Sequence, residues 1–109
     1  MPLPPPISAI ELKQLLDGPS PPRLVDVREP NEWVGELGHI AGAELMPLGT
    51  VQAKLPSLAG ETREIISICK SGMRAGKAAE FWAQNGLRVR VLQGGMMAWN
   101  EAKLPTTTK

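Results

Sequence analysis

One cysteine stands in this sequence, Cys69, and a lone cysteine cannot close an intramolecular disulfide. That excludes a disulfide-stapled secreted scaffold. Neither sign of charge is in excess: 12 Lys and Arg face 11 Asp and Glu, which leaves no electrostatic footprint for nucleic acid and no basic face for an acidic membrane. Any anion site must therefore be local. No stretch approaches the roughly 18 consecutive apolar residues of a membrane span. The segment Met1-Pro2-Leu3-Pro4-Pro5-Pro6 has neither the positive start nor the apolar run of a signal peptide. One Cys and one His cannot supply a usual metal-ligand set, and no cofactor is expected. Gly94-Gly95 lacks the full spacing and the following acidic residue of a dinucleotide loop. These absences leave a soluble, cytoplasmic domain as the plain expectation.

What is present suffices for one core. The chain has 109 residues, of which 42% are apolar, enough for a single packed domain and too few for two. Residues 1–7 read as an extended, proline-rich tail, 8–104 as the folded domain and 105–109 as a frayed end. Ser8-Ala9-Ile10-Glu11 has the form of a capping box, after which Leu12, Leu15 and Leu16 share one helical face up to a stop at Gly18. Leu24 to Val27 predicts a short buried strand, and Pro30 opens a brief helix through Trp33. Gly38 to Ala43 is a compact turn into a second strand around Glu44 to Met46, and Thr50 is placed to cap a short helix through Leu55. The β-branched run Ile65-Ile66-Ser67-Ile68 suits the centre of a parallel sheet. Ala75, Ala78, Ala79 and Trp82 recur at helical spacing, Gly86 ends that helix, Val89 to Leu92 is a further strand, and a last helix carries Met96 and Trp99. Strands alternating with helices predict an α/β fold, a parallel sheet of about five strands covered on both faces. Such sheets bind ligands at the carboxyl ends of their strands, where Cys69 falls.

Four residues separate Cys69 from Arg74, and the segment joins a buried strand to a helix. The loop must turn sharply, so its N–H groups and the unpaired N–H groups of the helix start can converge on one point. Lys70, Arg74 and the helix dipole add positive potential there, and Gly72 permits a backbone angle that a bulkier residue resists. Such a cradle favours an ionised sulfur and would hold a persulfide or a sulfur oxyanion. Arg74 near a helix start is electrostatically awkward by itself, because cations are disfavoured at that end; an anion in front of it removes the awkwardness.

The loop Cys69-Lys70-Ser71-Gly72-Met73-Arg74 resembles the active-site loop of the rhodanese family. Two further stretches agree in order: Leu24 to Glu29 with Glu32-Trp33 and Gly38 to Ala43 is similar to the family's N-terminal signature, and Leu92 to Trp99 to its C-terminal one. The resemblance implies a single-domain sulfurtransferase. The Cys69 thiolate would attack the outer sulfur of a donor such as thiosulfate, and the persulfide would pass its sulfur to cyanide in an assay, or to a thiol or acceptor protein in a cell. Cys69 is the expected nucleophile, with Lys70, Ser71, Gly72, Met73 and Arg74 binding the donor. Ala75 departs from the hydroxyl residue that members often carry there.

Other residues have plainer readings. Asp26, Arg28 and Glu29 are expected to tie loops together through ion pairs and hydrogen bonds. His39, which tempts towards a Cys–His pair, belongs to a structural turn in the family's pattern. Trp33, Trp82, Trp99, Met96 and Met97 read as core or pocket wall. A cysteine phosphatase or arsenate reductase is the enzymatic rival, but such loops carry one residue more between Cys and Arg and usually a His where this chain has Ile68. A non-catalytic binding module and a sulfur relay to a carrier protein stay open, as does whether the chain is a whole protein or a domain of a fusion.

Overall fold

The computed structural model describes residues 3–109. Its elements run α1 (Ala9–Leu16), β1 (Arg23–Asp26), α2 (Pro30–Trp33), β2 (Glu44–Leu45), β3 (Ile65–Ile68), α3 (Met73–Gln84), β4 (Val89–Val91) and α4 (Gly95–Glu101). The four strands are parallel and lie in the order β2-β1-β3-β4. Where about five strands were expected there are four, plus a one-residue remnant of a fifth. Ile7 bridges to Leu92 beyond β4, with its N–H on the Val91 carbonyl at 2.9 Å and its C=O accepting from Gln93 at 2.8 Å. Ile7 is 1% exposed, so the ordered core begins inside the segment read as tail.

Period-two alternation sends successive side chains to opposite faces of the sheet. Val25, Val27, Ile65, Cys69 and Val89 pack with Ala75, Ala78, Ala79 and Trp82 of α3. Leu24, Ile66, Ile68 and Leu92 pack with Leu12 of α1 and with Met96 and Trp99 of α4. The alanine stripe brings α3 close enough for the buried Ser67 hydroxyl to donate to the Ala75 carbonyl at 2.9 Å. This bond ties the first turn of α3 to the strand that precedes Cys69.

Several local expectations shift. The capping box forms, with Ser8 N–H on Glu11 Oε1 and Glu11 N–H on Ser8 Oγ, both 3.1 Å. Leu15, however, is 38% exposed. At about 100° per residue, Ala9 and Leu16 fall on one flank of Leu12 and Leu15 on the other, and α1 beds on the first flank. Thr50 caps no helix through Leu55; two separate 3-10 turns form instead, Leu48–Thr50 and Leu55–Leu58. The Thr50 hydroxyl looks backwards and donates to the Pro47 carbonyl at 2.7 Å. The carboxyl end is not frayed. Thr107 and His39 exchange both backbone hydrogen bonds at 2.9 Å, and Trp99 Nε1 donates to the Pro105 carbonyl at 3.0 Å.

The strand order reverses between β1 and β3, since the chain moves outward from β1 to β2 and later from β3 to β4. Such a switch point opens a crevice at the carboxyl ends of the two strands. Asp26 ends β1 opposite Ile68 at the end of β3, and Cys69 follows directly.

Candidate active site

Cys69 leaves β3 in phase with Ile65, on the face that carries α3. The chain then turns through Lys70, Ser71 and Gly72 into the helix. Gly72 sits at φ +118, a conformation L side chains rarely adopt, and its N–H donates to Cys69 Sγ at 2.9 Å. The first backbone bond of α3 is Gly76 N–H to the Gly72 carbonyl at 2.9 Å, so the N–H groups of Met73, Arg74 and Ala75 have no partner within the helix. The positive end of the α3 dipole adds to them.

The other side of the loop is held by α4. Met96 N–H donates to the Cys69 carbonyl at 2.8 Å and Met97 N–H to the Lys70 carbonyl at 3.0 Å. This approach needs Gly95, because a Cβ there would lie 2.3 Å from the Cys69 oxygen and 2.5 Å from that of Lys70. A trans peptide sets N–H opposite C=O. Fixing those two carbonyls on α4 therefore turns the N–H groups of Lys70 and Ser71 away from α4. Cys69 itself is 1% exposed. Lys70, Ser71 and Met73 around it are exposed and Gly72 is half-buried.

Around the loop lies a structural ion-pair network. Asp26 and Arg28 are both buried and share four contacts: Arg28 Nε to Oδ1 at 3.0 Å and Oδ2 at 3.1 Å, Nη2 to Oδ2 at 2.8 Å, and Arg28 N–H to Oδ1 at 3.0 Å. Arg28 Nη2 also donates to the Gly38 carbonyl at 2.7 Å, and Nη1 to the Glu32 carbonyl at 3.4 Å. The pair thus fastens the end of β1 to α2 and to the turn after it. Glu29 is exposed and works through its backbone, its N–H donating to Glu32 Oε1 at 3.0 Å. His39 is buried, stacked on Trp33 with ring centres 3.5 Å apart, and its Nδ1 is 2.7 Å from the Trp33 carbonyl.

Arg74 comes to the site already engaged. Its Nη1 and Nη2 donate to Glu32 Oε1 and Oε2 at 2.6 and 2.9 Å, a bidentate pair between α2 and the first turn of α3. The guanidinium holds the Glu32 carboxyl down at about 2, well below its ordinary 4.5, and Glu32 in turn raises Arg74. The anion expected in front of Arg74 is thus part of the protein. Between α2 and the loop opens a cavity of about 370 Å³, lined by Arg28, Asn31, Glu32, Glu36, Lys70 and Met97. Glu32 and Gly95 stand within the sequence motifs, which by themselves assign neither a role. A glutamate one turn into a Pro-led helix reads as a cap, and nothing local shows that its carboxylate spans 42 residues to Arg74.

The profile of the rhodanese-like domain family matches residues 8–102. Among curated proteins, a Bacillus subtilis protein named as a sulfurtransferase, YtwF, is 33% identical over 99 residues, covering 91% of this chain and 93% of that protein. A Mycobacterium tuberculosis protein named for both adenylyltransferase and sulfurtransferase activity, MoeZ, is 35% identical over 105 residues, 91% of this chain but 25% of MoeZ. The chain spans less than half the length of that relative and of a cyanobacterial one, of which it covers 45%. The crystal structure of a rhodanese-related protein from Thermoplasma volcanium superposes with a TM-score of 0.84 at 28% identity, covering 95% of this chain and 98% of that one. A parallel α/β sheet with a cysteine cradled between the third strand and the third helix, a matching family profile and relatives with sulfurtransferase names together place this chain in the rhodanese-like domain family.

Proposed function

We propose that this protein is a sulfurtransferase that carries a sulfane sulfur as a persulfide on Cys69. The observation that carries the reading is the Gly72 N–H donated to Cys69 Sγ at 2.9 Å, at the positive end of α3. Partner-free amides of the α3 start extend the same cradle, and amides stabilise an anionic sulfur where it forms.

In the first half-reaction the Cys69 thiolate attacks the outer sulfur of thiosulfate. The S–S bond of the donor breaks, sulfite leaves with its electron pair, and Cys69 holds a persulfide anion. A persulfide donor reacts in the same way with a thiolate as leaving group. In the second half-reaction an acceptor nucleophile takes the terminal sulfur, and the Cys69 thiolate is restored. Cyanide would leave as thiocyanate; a thiol or a sulfur-acceptor protein is the proposed partner in the cell, with the cytoplasm as the proposed location. This is ping-pong covalent catalysis without oxidant or reductant. Lys70 and the N–H groups of Ser71, Gly72 and Met73 bind the donor. Arg74 clasps Glu32 and so fastens the start of α3 to α2, while Asp26, Arg28, Glu29 and His39 hold the surrounding loops.

The 1% exposure of Cys69 favours a second reading, a binding module without turnover. A paired assay separates these readings and the phosphatase rival: thiocyanate formed from thiosulfate and cyanide, against hydrolysis of an aryl phosphate. Thiocyanate formation that Cys69→Ser abolishes, with no phosphate release, is the expected result. Phosphate release alone, or thiocyanate formed equally by the serine variant, would overturn the reading.

A further inference from the structure

The Glu32–Arg74 pair is the feature around the loop that sulfur transfer does not by itself require. Arg74 occupies the second position of α3, and both of its terminal nitrogens donate to one carboxylate, which turns the fork of the guanidinium towards α2. Glu32 is itself fixed: its helix starts at Pro30, its Oε1 also accepts the Glu29 N–H at 3.0 Å, and its carbonyl accepts from the buried Arg28 at 3.4 Å. The carboxylate is thus anchored to the Asp26–Arg28 network and does not follow Arg74 towards a ligand.

The pair is neutral as a unit. That leaves Lys70, exposed and in no ion pair among the described residues, as the uncompensated cation of the loop. The cavity beside the loop brings Glu32 and Glu36 together with Lys70 and with Arg28, whose charge Asp26 already compensates. At the loop a thiosulfate dianion meets one free cation, Lys70, and the fixed carboxylate of Glu32 that shares the cavity with it. A persulfide carried by a thiol has its reacting sulfur end neutral or singly charged, and suffers less from both conditions.

We infer that Glu32 is a specificity-determining positioning residue, which holds Arg74 off the incoming donor and biases Cys69 towards thiol-borne persulfides over the thiosulfate dianion. The inference rests on the sulfur-transfer reading above. The chemical step is the same for both donors, displacement at the outer sulfur with sulfite or a thiolate leaving, so the bias lies in donor binding.

The test loads Cys69 of the intact protein from thiosulfate and from cysteine persulfide, following added sulfur by intact mass, in the wild type, Glu32→Gln, Arg74→Ala and the double variant. Glutamine keeps the shape of Glu32 and removes its charge. Releasing one charge-assisted fork should raise the ratio of thiosulfate to persulfide loading about tenfold in Glu32→Gln, through a lower KM for thiosulfate. That gain should vanish in the double variant, because Arg74 is the group released. An unchanged ratio, or an equal fall with both donors, would show a merely structural clasp and overturn the inference. Absence of loading from either donor in the wild type would instead refute the sulfur-transfer reading on which it rests.

Discussion

Replacing Gly95 by alanine should cripple the cysteine loop far more than it unfolds the protein. Gly95 has φ +57, and its added Cβ would stand 2.3 Å from the Cys69 carbonyl oxygen and 2.5 Å from the Lys70 oxygen, both backbone atoms that cannot rotate away. The left-handed backbone alone costs an alanine about 1 kcal/mol. Relief of the overlap must move α4 off the loop, which loosens the Met96 to Cys69 and Met97 to Lys70 hydrogen bonds at about 1 kcal/mol each. A total near 3 kcal/mol is expected from urea unfolding monitored by tryptophan fluorescence. Gly60→Ala is the internal control, because Gly60 has φ +78 with nothing within 4 Å of its Cβ position. It carries the same backbone penalty and no collision, so it should lose about 1 kcal/mol and load sulfur at the parental rate. Gly95→Ala, still folded in the absence of urea, should load at least tenfold more slowly, since the carbonyls that orient the Lys70 and Ser71 amides have lost their anchors. Equal stability and equal loading in the two variants would refute the claim that α4 shapes the site.

Acid should reveal the Glu32–Arg74 pair. Glu32 is held at about 2 against an ordinary 4.5, so the stability it contributes is complete above pH 4.5 and is lost as pH falls through 2. Glu61, held at about 2 chiefly by Arg63, titrates in the same window. Urea midpoints between pH 5 and 2, roughly that window, should therefore fall less steeply in Glu32→Gln than in the parent; an identical slope would mean the pair is not formed. Asp26→Asn should cost about 3 to 5 kcal/mol in urea unfolding, because it leaves the buried Arg28 guanidinium without its counter-charge. Breaking the exposed Lys13–Asp17 pair should cost less than about 0.5 kcal/mol, and similar losses in the two would contradict the ranking.

The sequence spoke clearly wherever structure depends on neighbours along the chain. Ala75, Ala78, Ala79 and Trp82 are all fully buried because a helical stripe of small residues admits only one packing face. The capping box of Ser8 and Glu11, the Pro30 start of α2 and the Ile65–Ile68 strand are local in the same sense. The position of Cys69 followed from strand, turn and helix in succession. What stayed hidden depends on partners distant in sequence. The choice of Glu32 as the acceptor for Arg74, the seating of Gly95 on the loop carbonyls and the pairing of Thr107 with His39 are decided by packing. Leu15 and Thr50 failed for a related reason. An eight-residue helix can bed on either flank of its apolar stripe, and a hydroxyl can bond backwards as well as forwards.

The sulfur of Cys69, though buried at 1% exposure, should be reachable and reactive inside its amide cradle. Intact mass spectrometry after incubation with thiosulfate addresses it directly. The protein should gain one sulfur atom that cyanide removes, and the Cys69→Ser variant, with unchanged circular dichroism, should gain none. A wild-type mass that no sulfane donor alters, in protein whose fold is intact, would show that the cradle holds a silent thiol.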